Sequence, residues 1–184
     1  MTKLSTPFIQ KTTWKTATVC TVLFVVLFAL INYSSIGVAG LLNITGGANI
    51  LDFELGYTHE KAYQMLTALG NEGRAFYQTK ILPLDFPFPL AYMLCFASWI
   101  AFLLKRIPQN KRYTPLLLIP VIAAASDWIE NIGILSMLRS YPTLPPWAVT
   151  TASYVGILKM FSIGASMAAI GILLFIRGKI PRGE

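Results

Sequence analysis

Long apolar stretches separated by short polar ones dominate the chain. Four of them, residues 16–40, 86–105, 115–138 and 148–176, reach the roughly 20 residues that a helix needs to cross a bilayer's hydrocarbon core. They predict four transmembrane helices. The connection between the first two, residues 41–84, is longer than a bundle loop needs and has a helical pattern of its own. In "THEKAYQMLTALG", Ala62, Met65, Leu66 and Leu69 recur at i, i+3, i+4 and i+7, behind a Thr58 cap and ahead of a Gly70 stop. This predicts an amphipathic helix on the membrane surface or capping the bundle, and "NEGRAFYQTK" predicts a second short one. Residues 1–15 read as a short polar lead with Trp14 at interfacial depth. The expected fold is therefore all-α: one polytopic membrane domain, residues 1–184, with a helical segment at 41–84.

Composition agrees with that reading. Hydrophobic residues make up 55% of the chain and charged ones only 12%, about half of what soluble domains carry. The net charge of +7 could suggest nucleic acid, but the basic residues flank the apolar segments instead of gathering into a patch. Lys3, Lys11 and Lys15, then Lys105, Arg106, Lys111 and Arg112, then Arg177, Lys179 and Arg182 make ten on one side, against Lys61, Arg74, Lys80 and Arg139 on the other. The positive-inside rule then places both termini in the cytoplasm and the 41–84 segment outside a plasma (inner) membrane. Nucleic acid is excluded as a partner, since the charge sets topology. Of the acidic residues, only Glu184 falls on the cytoplasmic side. The first apolar run outlasts a signal-peptide core and is kept as a helix. Cys20 and Cys95 lie at different depths, so no disulfide or metal motif is expected.

The third helix carries "SDWIENIG" in its middle. Its dozen large aliphatic residues and methionine favour insertion by about 6 kcal/mol in total, while a central Asp and Glu cost about 2.5 to 3.5 kcal/mol each. The sums nearly cancel, so Asp127 and Glu130 need partners, and intramembrane ionisable residues are functional candidates by default. Asp127, Glu130 and Asn131 stand at i, i+3 and i+4 on one face. The other ionisable residue deep in a helix is Lys159, flanked by Ala152, Gly156, Ser162 and Ser166, small residues that allow close helix packing. Glu130 lies about 10 Å below the outer end of its helix and Lys159 about 15 Å below that of the fourth. At the same level stand Asn32 in the first helix and Asp85 and Tyr92 in the second. Together they outline a polar pocket in the outer half of the membrane.

Duller readings compete. Asp127 and Lys159 make a register-fixing ion pair equally well. Asn131 suits an interhelical hydrogen bond, and Asp85 suits a helix N-cap. Glu130 is harder to dismiss, because one lysine cannot neutralise two carboxylates and a protonated acid can serve as general acid or proton carrier. Arg74 in "GNEGR" could hold an anionic headgroup or simply close a turn. His59, with Asp52 or Glu54, lacks any metal-ligand spacing, and no cofactor motif is present.

"ILDFELGY", "GNEGRAFY", "LDFPFPLAY", "DWIEN" and the lysine of "GILKM" together resemble a pattern found in small four-helix integral membrane proteins, mostly bacterial. The resemblance spans residues 50–160 and implies the topology, with no named activity to carry over.

The expected function is binding of a lipid-like or amphipathic small molecule in the cavity, with acid/base chemistry on it. Asp127 or Glu130 would be the acid or base, paired with Lys159, while Asn131, Asp85, Tyr92, Asn32 and Arg74 would orient the substrate. Membrane lipids are the expected surroundings. The rival readings are a small proton-coupled transporter, which at this size would be a homodimer, and an assembly protein whose charges only lock helices.

Overall fold

The computed structural model describes residues 2–107 and 112–179, so Lys111, Arg182 and Glu184 of the charge pattern lie outside it. The chain is all-α, with no strand among the described residues. Four helical runs, Trp14–Thr45, Gly70–Leu104, Thr114–Ser140 and Pro146–Gly178, are long and apolar enough to cross a membrane. The molecule has the make-up of a multi-pass integral membrane protein.

Residues 1–15 are more than a polar lead. A helix α1, Thr2–Lys11, seats Ile9 in a core with Ile100, Leu103 and Leu104, and Lys105 Nζ donates to the Thr12 carbonyl at 3.2 Å. The first long helix, α2, Trp14–Tyr33, starts at a Thr13 cap whose hydroxyl accepts from the Thr16 N–H. It stops seven residues short of the expected residue 40. There the Ser34 hydroxyl donates back to the Leu30 carbonyl and the chain folds over onto α3, Val38–Thr45. Gly37 permits the reversal, because a Cβ there would overlap the Ile31 carbonyl.

A 3₁₀ turn, Leu51–Phe53, dips between the long helices and buries Leu51 and Asp52. The amphipathic helix α4, His59–Ala68, begins at the Thr58 cap and buries Ala62, Leu66 and Leu69, following the pattern read from the sequence. Beyond it the helical segment expected through residue 84 runs directly into the next span. α5 (Gly70–Phe76), a π turn (Tyr77–Ile81), α6 (Leu82–Asp85) and α7 (Phe88–Leu104) form one near-continuous helical run. Tyr77, Ile81 and Leu82 are fully buried, so this stretch enters the bundle instead of lying on it. Its apolar face, split by Arg74, Gln78 and Lys80, is too broken to register as a continuous hydrophobic run.

The last two helices, α8 (Leu118–Ser140, preceded by the 3₁₀ turn Thr114–Leu117) and α9 (Pro146–Gly178), form the closest pair. α7 packs on both, and α2 leans on α7 and α3 with little packing on α9. Small residues set the α8–α9 spacing: a Cβ on Gly133 would sit 2.8 Å from the Ala152 Cβ and 3.1 Å from the Ala148 carbonyl. Neither neighbour can move without the α9 backbone moving too.

A Gly133→Leu variant is therefore expected to lose about 1 to 3 kcal/mol, the usual cost of overpacking. Gly171→Ala, where nothing lies within 4 Å, is expected to be neutral or to gain up to about 1 kcal/mol from helix propensity. Thermal unfolding of both in detergent checks the contrast, and equal effects would contradict this account of the interface.

Candidate functional site

The close α8–α9 register brings Lys159 into the fork between Asp127 and Glu130. Its Nζ lies 2.5 Å from Glu130 Oε2, 3.5 Å from Asp127 Oδ1 and 3.9 Å from Asp52 Oδ1. All four side chains are buried. Two tyrosines close the outer contacts of the cluster. The Tyr92 hydroxyl donates to Asp127 Oδ2 at 3.0 Å, and the Tyr77 hydroxyl donates to Asp52 Oδ2. Four elements thus converge on one ammonium group: α8, α9, the α7 and π-turn run, and the Leu51–Phe53 turn.

Each placement has a local cause. Asp127 and Glu130, three apart, share the α8 face turned to α9. Gly156 of α9 leaves the space that Glu130 fills, since a Cβ there would overlap Glu130 Oε1. The π turn widens the helix by one residue just where Tyr77 must reach Asp52, a common use of such turns at functional sites.

The expected site residues separate into groups. Glu130 and Asn131 are fully buried in the α8–α9 interface. Glu130 Oε1 has no hydrogen-bond partner, and Asn131 faces the Asp85 carboxylate without closing a well-formed hydrogen bond, so its amide is left unpaired. Asp127, Lys159, Tyr92, Asp85 and Asn32 instead line a cavity of about 230 Å³. Asp85 caps no helix: it ends α6, and the position capping α7 is Pro87, which makes no side-chain bond. Its half-buried carboxylate is turned to the cavity and forms no ion pair among the described residues. The Asn32 amide donates to the Phe28 carbonyl at 2.8 Å. Arg74 joins neither group. Its guanidinium donates to the Leu66 carbonyl and to Asn71 and stacks 3.8 Å over the Tyr141 ring, which ties α4 and α5 to the α8–α9 turn.

Asp52 and Tyr77 were missed by the sequence reading. An aspartate set between Ile50, Leu51 and Phe53 was the available signal, because apolar neighbours on both sides draw such a turn into the core. Tyr57 was missed too. Gly56, at φ +79°, turns the chain, the Ser153 hydroxyl accepts from the Tyr57 N–H at 2.8 Å, and the Tyr57 hydroxyl is buried without a partner. Burial, with the Glu130 and Asp52 carboxylates nearby, holds that hydroxyl far above the ordinary phenol range and so keeps it protonated.

The rest of the cavity wall is apolar and largely aromatic, with Phe24, Phe28, Phe88 and Phe96 beside Tyr92. Phe28, Phe53 and Met160 at its rim are exposed, so it opens sideways through the gap between α2 and α9. Asp52, Asp127 and Glu130 approach within 4.8 Å of one another, a spacing that suits a cation, and the Lys159 ammonium supplies that positive charge. A second, wider groove lies between Gly56–His59 and the start of α9, where His59 Nε2 lies 3.2 Å from the Leu144 carbonyl.

No family model, curated protein or solved structure matches the chain.

Removing the lysine alone strands buried carboxylates. Lys159→Met is expected to cost about 3 to 5 kcal/mol, the usual penalty for breaking a buried pair. Adding Glu130→Gln to it should recover at least about 1 kcal/mol, because the closest uncompensated charge is gone. Thermal unfolding of the two single variants and the double variant tests this, and simple additivity would refute the pairing.

Proposed function

We propose that the protein takes an amphipathic, lipid-like small molecule from the bilayer through the gap between α2 and α9 and holds its polar end against Asp127. The observation that carries this reading is the form of the cavity: an aromatic wall, an exposed apolar rim at Phe28, Phe53 and Met160, and carboxylates in its lining. Ligand sites commonly pair an apolar lining with a few convergent polar groups. At about 230 Å³ the space suits a head and the first part of a chain, with the remainder left in the gap among lipid tails. The exposed valine and leucine face of α2, including Val19, Val22 and Val26, is suited to lipid contact.

Acid/base work falls to Asp127 in this reading. It lines the cavity, lies with Oδ1 at a long 3.5 Å from Lys159 Nζ and is steadied through Oδ2 by Tyr92. A carboxyl group in such a setting can exchange a proton with a bound molecule at hydrogen-bond distance. Lys159 biases that exchange by its charge. Glu130, shut off from the cavity, fits the register-locking role better than the proton-carrying one. The basic ends of the helices favour cytoplasmic termini in a plasma membrane, with α3–α6 on the opposite side. The resemblance to small bacterial four-helix membrane proteins accords with that arrangement.

Filling the cavity tests the proposal. Ile163→Trp puts an indole into the space beside Tyr92 and Phe96. Native mass spectrometry of the wild-type protein released from lipid nanodiscs is expected to show a retained lipid-sized adduct. In the variant occupancy is expected to fall at least about tenfold, or about 1.4 kcal/mol, with the helical circular dichroism unchanged. Equal retention by both proteins would refute the cavity as the binding site.

A further inference from the structure

We infer that the molecule held in this cavity carries a positively charged amine head. The inference rests on the proposed binding role of the cavity and adds the charge of its occupant. It follows from counting donors and acceptors at the inner end.

Asp52, Asp85 and Asp127 all line the space, with Glu130 just behind them. Lys159 is the cation facing these four carboxylates among the described residues, and it is already shared between Glu130, Asp127 and Asp52. Two tyrosine hydroxyls and the Asn32 amide are committed as well. Tyr77 donates to Asp52, Tyr92 to Asp127, and the Asn32 amide to the Phe28 carbonyl. On the acceptor side, Asp127 Oδ1 and Asp52 Oδ1, in residues 3% and 8% exposed, are reached by Lys159 only at the long distances of 3.5 and 3.9 Å. Asp85 adds a third carboxylate with no ion pair among the described residues. The cavity lining is rich in acceptors and has no donor to spare, the unpaired Asn131 amide and Tyr57 hydroxyl standing outside it.

That census separates headgroup classes. A phosphate or carboxylate head needs donors and would meet like charge on entering. A hydroxyl head donates once and leaves the other acceptors unpaired. A primary ammonium donates three times, to carboxylates that one lysine serves only in part, and its charge offsets their surplus. The wall suits the same head, because Phe24, Phe28, Phe88 and Tyr92 line it and aromatic rings attract cations.

Calorimetric titration of the full chain in zwitterionic-lipid nanodiscs, with empty nanodiscs subtracted, tests this using three probes of one chain length: dodecylamine in its protonated form, dodecanol and dodecanoic acid. The amine is expected to bind at least about tenfold more tightly than the alcohol, and the acid is expected to give no saturable binding. Since the protein's net charge of +7 repels the amine, such a preference has to come from the cavity. Asp85→Asn, which leaves the Lys159 pairs untouched, is expected to weaken the amine about tenfold and leave the alcohol unchanged. Alcohol binding as tight as amine binding, or an amine affinity indifferent to Asp85→Asn, would overturn the inference while leaving the cavity reading intact. Failure of all three probes to bind would overturn both.

Discussion

An ammonium group buried among packed helices is the constraint on which the rest of the structure depends. Moving Lys159 out of water costs several kcal/mol even after relaxation, and that cost is offset only by close, well-placed negative charge. Glu130 at 2.5 Å, Asp127 at 3.5 Å and Asp52 at 3.9 Å provide it from two separate stretches of chain. The α8–α9 register follows from this, as does the descent of the Leu51–Phe53 turn into the bundle. The requirement reaches further still, since Asp52 needs Tyr77, and Tyr77 is placed by the π turn in the run leading into α7.

The cluster has two sides with different physical characters. Toward α8 and α9 it is sealed: Gly156 admits Glu130, Gly133 meets Ala152, and Glu130 and Asn131 are fully buried. Toward α2 it is open, and Asp127, Asp52 and Asp85 border a space walled by aromatic rings. A bundle that needed the charges only to fix register could have closed both sides with apolar packing, as buried ion pairs often permit. The open side is what turns a structural ion cluster into a candidate binding site.

Much of this was legible in the sequence, for identifiable reasons. Long apolar runs mark the spans because backbone groups in lipid must be satisfied within a helix, which fixes a minimum length. The spacing of Asp127, Glu130 and Asn131 fixed their shared face, and depth along antiparallel helices pointed to Lys159. Asp52 escaped because a 3₁₀ turn has no period to read. The break at Ser34–Gly37 escaped because it depends on a backbone contact between Gly37 and Ile31, which an apolar count does not register. Arg74 read as a headgroup ligand or a turn residue, and its stacking on Tyr141, distant in sequence, had no signal in the local pattern. On one helix face Asp127 suited a structural pair and Glu130 a proton carrier, whereas the cavity borders Asp127 and leaves Glu130 sealed behind it.

The most direct test is an experimental structure of the protein in lipid nanodiscs, solved well enough to show ordered lipid. The account predicts elongated density passing between α2 and α9, lying along Phe28 and Phe88, and ending at hydrogen-bond distance from Asp127. A structure in which α2 packs directly on α9, closing the space and leaving Asp127 and Asp85 paired within the protein, would contradict it.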